Sequence, residues 1–232
     1  MIFADPNDWS EGLELDLETR HERDTLNAYL SSSRNGLDWD TSFVYSGEPL
    51  VARGRAGSAY KDAVVPASAI ATVNDEHVLL FSNKRERHDM GNPDKWLHLP
   101  GRLLLEEQLR HHIFAARFER DRFAYISATS ASAHAATLVT KPFALSAPIL
   151  VLNVEVGESP ILVKVVAVDA SHTAVHEVTA AVPPFSDGLD IPVDFGIPLD
   201  ELMGSLVRLS FELAADSKLY AFQFRKEFFS GD

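Results

Sequence analysis

Apolar and polar residues alternate along this chain with a period of two rather than 3.6. Leu13, Leu15 and Leu17 alternate with Glu14, Asp16 and Glu18, the pattern of a strand with one wet face. Alternation or short apolar runs predict further strands at residues 41–45, 67–73, 77–82, 113–118, 123–127, 136–139, 149–156, 161–168, 206–212 and 219–224. Gly, Pro, Asn, Asp and Ser separate them, and Asn74-Asp75-Glu76 fits a hairpin turn between two of them. Helical signals are few. Residues 199–203 follow Pro198, carry acids suited to a helix start and end at Gly204, which allows about one turn. Residues 103–110 are helical by propensity, but they follow Pro100-Gly101 and suit a loop equally well. The expected fold class is all-β.

Two regions differ in texture. Residues 1–115 are loop-rich, hold all three Trp and include seven charged residues within 84–95. Residues 116–232 form a more regular strand series, long enough for a sandwich of roughly seven to nine strands. The first region would make only two or three propeller blades at roughly 40–50 residues each, and a propeller needs about four to close.

Composition narrows the function classes. The 232 residues are 46% hydrophobic and 24% charged, ordinary values for a folded protein. With no Cys, thiolate metal sites, disulfides and cysteine nucleophiles are excluded. The formal net charge of −13 disfavours nucleic acid and anionic membrane surfaces as partners. No apolar run approaches the roughly 20 residues of a membrane helix. The start, MIFADPNDWS, lacks the basic and apolar regions of a signal peptide, so the expectation is a soluble chain.

Several short segments recur in one known family. Ser33-Arg34-Asn35-Gly36-Leu37-Asp38-Trp39 resembles an S-x-D-G-x-x-W blade turn, with Asn in place of Asp. Asn and Gly take left-handed turn conformations at low cost, and the Trp would plug the gap between sheets. Pro49-Leu50-Val51, Gly54, Gly57-Ser58 and Asp62 are spaced like a P-f-l-p-x-G-x-x-G-S-x-D stretch, with Asp62 three residues late. Arg120-Asp121-Arg122-Phe123 and Thr137-Leu138-Val139-Thr140-Lys141-Pro142-Phe143 look like a DRF…G-x-L-x-T-K-P-F lead into a sandwich. Leu150-Val151-Leu152-Asn153, Val207-Arg208-Leu209-Ser210-Phe211-Glu212 and Leu219-Tyr220-Ala221-Phe222 continue that pattern. In this order the segments resemble relatives of glycoside hydrolase family 32, the β-fructosidase type, loosely over 30–224 and well over 120–224. The resemblance implies the last blades of a five-bladed propeller (1–115) followed by an antiparallel β-sandwich (116–232). It also implies that the family's early blades, with the nucleophile and general acid, are missing here. Asp5-Pro6-Asn7 echoes the family's W-M-N-D-P-N-G motif but lacks Trp-Met-Asn and has Asp8 for Gly. A solvated turn is the simpler reading.

Glycoside hydrolysis requires two carboxyl groups across the scissile bond. Asp62, after a Gly-rich loop and before Ala63-Val64-Val65, is the candidate catalytic residue, and the same place suits a turn or capping aspartate. Asp38, Trp39 and Tyr60 are candidates for sugar binding, since an aromatic face stacks on the apolar face of a sugar ring. A Trp in such a turn is more often a blade-core residue. His88 and Asp89 resemble, in reversed order, a D-H pair near the family's propeller axis, and a charged solvated loop explains them as well. Ser58-Ala59-Tyr60-Lys61 has no S-D-N or K-T-G companion. Adjacent His111 and His112 would point to opposite faces of a strand. No cofactor or metal is expected.

The function expected from the resemblance is a glycosidase-like protein, or the C-terminal part of one, acting on a carbohydrate through paired carboxylates. The alternative is a non-catalytic carbohydrate-binding or structural β module. An unfinished propeller would expose an open sheet edge and favour self-association. Phe211, Tyr220, Phe222 and Phe224 are the expected aromatic core of the second region, with roughly 3–5 kcal/mol lost in Phe222→Ala.

Overall fold

The computed structural model of the protein describes residues 2–4, 25–55, 58–60, 63–84, 112–129 and 135–227. The expected strand over 13–17, the 103–110 segment, Asp5-Pro6-Asn7, Asp62, His88, Asp89 and His111 lie outside the described residues. The protein is all-β. Among the described residues one five-residue α-helix and one 3-10 turn are the exceptions, and no helix there is long and apolar enough to cross a membrane. The chain divides into two compact units, Met1–Phe118 and Glu119–Asp232.

The first unit contains β1 (Ile2–Ala4), β2 (Leu26–Ala28), β3 (Ser32–Ser33), β4 (Trp39–Asp40), α1 (Ser42–Ser46), β5 (Ala63–Val73) and β6 (Glu76–Lys84). Strand β7 (Ile113–Glu119) closes it. One sheet runs β1-β2-β5-β6-β7, while β3 and β4 form a small hairpin of their own. Strands β5 and β6 pair antiparallel, with Val73 opposite Glu76 across a two-residue turn. Asn74 takes a positive φ of 55 there, which Asn tolerates better than most residues. Among the described residues, Ala28, Val64 and Phe81 form a buried cluster, with Val51, Tyr60, Phe114 and Ala116 packed on them.

The strand expected over 41–45 is instead α1. The β-branched and aromatic residues there favour a strand, but local polar contacts decide otherwise. Asp40 Oδ1 accepts from the Ser42 backbone N–H at 2.9 Å, fixing the start. Gly47 takes a left-handed conformation at the end (φ 74) and donates to the Val44 carbonyl, a helix-ending turn that glycine favours.

The second unit contains β8 (Ala136–Val139), β9 (Phe143–Ala144), β10 (Ile149–Glu155), β11 (Ile161–Val168), β12 (Ala174–Val182), β13 (Asp187–Pro192), β14 (Leu206–Leu213) and β15 (Lys218–Arg225). One sheet is ordered β13-β10-β15, the other β12-β11-β14-β8, with β9 also on β14. Every pairing in these sheets is antiparallel. Alternate residues of both sheets enter one apolar cluster: Leu150, Leu152 and Val154; Ile161, Val163 and Val165; Leu209, Phe211 and Leu213. Each large side chain buried there contributes roughly 1.5–3 kcal/mol.

Three expectations for this unit are corrected. Residues 123–127 form no strand; Ile126 alone makes a bridge to Leu219. The preceding turn holds Asp121 at a left-handed φ of 61. Phe222 is 38% exposed although its ring lies 5.6 Å from that of the fully buried Phe211. Tyr220 and Phe224 are half-buried, so Phe211 alone of the four is a full core residue. Finally, β12 and β13 went unmarked by alternation. Both are edge strands; β12 is exposed over its first half, and β13 contains Gly188 and Pro192, residues poor at strand signalling but tolerated at edges.

Candidate functional site

The β3–β4 hairpin carries the first group of predicted residues. Asn35 organises its turn. Its Oδ1 accepts from the backbone N–H of Leu37 at 2.9 Å and of Asp38 at 2.8 Å, and from Ser33 Oγ at 3.2 Å. Its Nδ2 donates to Asp38 Oδ2 at 2.8 Å. Ser33 Oγ in turn accepts from the Gly36 N–H at 2.8 Å. Gly36 has φ 73 with open space where a Cβ would lie, so backbone conformation rather than crowding calls for glycine there. Asn therefore does the work expected of Asp in this turn, and its amide adds a donor that a carboxylate lacks.

This turn sets Asp38 and Trp39 in place. Asp38 is exposed, and Trp39 is 51% exposed rather than buried between sheets. Leu37 and Tyr45 nearby in sequence are strongly exposed as well. The Asp40 carboxyl is held below its ordinary range by the Ser42 backbone N–H and hydroxyl. Tyr60 has a different setting. Its ring meets Phe81 edge-on at 5.7 Å and Phe114 at 5.1 Å, and those two rings stack at 5.4 Å. Tyr60 thus packs against the buried cluster of Ala28, Val64 and Phe81. Of the six predicted site residues, the structure describes Asp38, Trp39 and Tyr60; it brings the first two onto one hairpin and seats the third in the aromatic cluster.

The second unit holds a polar constellation that sequence reasoning did not select as a site, although the motifs behind the family resemblance contain its residues. Arg122 lies across the outer side of the β13-β10-β15 sheet. Its Nε donates to Asn153 Oδ1 at 2.9 Å, its Nη2 to Asp187 Oδ1 at 2.5 Å and to the Val154 carbonyl at 3.3 Å, and its Nη1 pairs with Glu119 at 2.7 Å. The guanidinium also sits 4.8 Å over the Tyr220 ring. Burial works against this charge, but the bond to Asp187 and the charges of Asp187 and Glu119 outweigh it and hold the group above its ordinary pKa.

Beside it, Glu155 accepts from Lys218 Nζ at 2.8 Å and from the Tyr220 hydroxyl at 3.1 Å. The lysine contact keeps the Glu155 carboxyl below its usual range and raises Lys218. Burial, then the Glu155 bond, push the Tyr220 hydroxyl up. Further along the sheet, Asp190 bridges two guanidinium groups, accepting from Arg120 Nη2 at 2.5 Å and from Arg225 Nη2. An open groove of 130 Å³ lies here, lined by Arg120, Asp121, Asn153, Asp190 and Gln223 together with the apolar Val151, Leu189, Ala221 and Phe222.

Among the described residues, no group of three or more His, Asp or Glu side chains is placed to hold a metal ion. The fold and these contacts define an all-β protein of two units with a polar, aromatic-bearing surface on each. Comparison with known proteins matches the chain to no family model, no curated protein and no solved structure.

Proposed function

We propose that this protein binds carbohydrate, with Trp39 as the stacking platform and Asp38 as the polar group beside it. In this reading the paired sheets of the second unit are a β-sandwich, and the sheet of the first derives from propeller blades of the β-fructosidase type. The observation that carries the proposal is the half-exposed Trp39 on a turn pinned by Asn35. A rigid aromatic ring next to a polar side chain is how a site takes the two chemically different faces of a sugar. The matching experiment is affinity electrophoresis in gels containing inulin, xylan or arabinan. The protein should be retarded by at least one of them. Trp39→Ala should abolish the retardation while leaving the melting temperature unchanged. Equal retardation of the variant, or none for the wild type, would overturn the reading.

A further inference from the structure

The groove on the β13-β10-β15 sheet lies where both neighbours of β10 are irregular. On β15, Asn153 pairs with Ala221 but Val154 pairs with Leu219, leaving Tyr220 as an extra residue. On β13, Leu152 pairs with Ile191 and Val154 with Gly188, so Leu189 and Asp190 together face Asn153. Bulges of this kind re-aim side chains and are over-represented beside binding sites. Here both flank one β10 residue, and four of the groove's lining residues, Leu189, Asp190, Ala221 and Phe222, lie in or next to them.

The polar groups around the groove are fixed before any ligand arrives. Each Asp190 oxygen takes one guanidinium N–H. A carboxylate offers about four lone-pair sites, so acceptor capacity remains on both oxygens. The Gln223 oxygen accepts from Arg225 Nε at 2.7 Å; the opposite orientation would set an NH2 against a guanidinium N–H. Its NH2, which carries two hydrogens, then faces acceptors of the protein. A donor and an acceptor side by side, above an apolar floor of Val151, Leu189 and Ala221, suit a hydroxyl-bearing ring with a C–H face. Two arginines, Arg120 and Arg225, stand against two aspartates, Asp190 and Asp121, so the groove has no excess positive charge for a phosphate or sulfate. Its 130 Å³ is well under the roughly 300–1,000 Å³ of drug-sized sites, a size that suits one small ring.

We propose that this groove is a second carbohydrate subsite, which holds a single neutral sugar residue through a pair of its hydroxyls. The inference rests on the carbohydrate-binding reading of the protein but uses different residues. Methyl-labelled full-length protein, titrated with xylotetraose, cellotetraose, sucrose and a fructan tetrasaccharide, tests it by NMR. Saturable shifts of the Val151, Leu189 and Ala221 methyl groups are expected with at least one of these sugars. They should persist in Trp39→Ala. In Gln223→Leu, an exposed position, the apparent Kd at these methyls should rise about tenfold, the loss of roughly one good hydrogen bond. Shifts confined to the Trp39 indole would overturn the second subsite and leave the binding function standing. Groove shifts that ignore Gln223→Leu would also overturn it. Shifts at the groove with a silent Trp39 indole would support the subsite and overturn the role given to Trp39. Silence at both places with all four sugars would overturn both proposals.

Discussion

Arg122 and Asn153 are joined by a 2.9 Å bond from Nε to Oδ1, while Asn153 Nδ2 donates at 2.7 Å to the Arg120 carbonyl. This pair clamps the first residues of the second unit onto the middle strand of its smaller sheet. Asn153 is only 4% exposed, so both halves of its amide need partners, and the clamp provides them. Asn153→Ala would strip partners from a guanidinium and a carbonyl at once. The expected loss is about 2–3 kcal/mol, read from urea unfolding. A loss below about 1 kcal/mol would show that the segment is held by other contacts.

The neighbouring phenylalanines Phe211 and Phe222, whose rings are tilted by 40°, should behave differently. Phe211 is wholly buried between the sheets, and Phe211→Ala should cost about 3–5 kcal/mol. Phe222 already exposes more than a third of its surface, so Phe222→Ala should cost about 1–2 kcal/mol. Equal losses in parallel denaturation curves would contradict this ordering.

Acid sensitivity should pass in part through Glu155. Its folded-state pKa is depressed, chiefly by Lys218. Its contribution is therefore present above the ordinary glutamate value of about 4.3 and fades as pH falls through the lower folded value. The pair is substantially exposed, which limits the effect to less than about 1 kcal/mol. Glu155→Gln should melt slightly below the wild type at pH 7, with a narrower gap at pH 3. Lys218 has the opposite sense: its raised pKa makes its contribution fade only as alkaline pH passes the folded value. A melting difference for Glu155→Gln that is the same at pH 3 and pH 7 would contradict the role given to this pair.

Alternation made the strands β8 and β14 legible, because each presents one face to a common core and therefore repeats every second residue, while β10 and β11 read as short apolar runs. It failed where burial does not impose that period. Residues 41–45 carry strand-like side chains, yet the Asp40 bond to the Ser42 N–H and a left-handed Gly47 accompany a helix there. Edge strands β12 and β13 have too little buried surface to leave a pattern. Phe222 follows the alternation but lies where the groove opens, a fact of neighbours rather than of sequence.

The sequence by itself determined the all-β class, the turn chemistry of Asn35-Gly36 and Asn74, and the positions of most strands of the second unit. Local conformation and a two-residue period are sufficient physical causes for those. Only the tertiary structure decided that Arg122, Asn153 and Tyr220, from three distant segments, meet on one face. It also decided that Trp39 stands in water while Tyr60 is packed between phenylalanines. The partners of a side chain depend on which strands become neighbours and where bulges shift their register, and no local pattern records either.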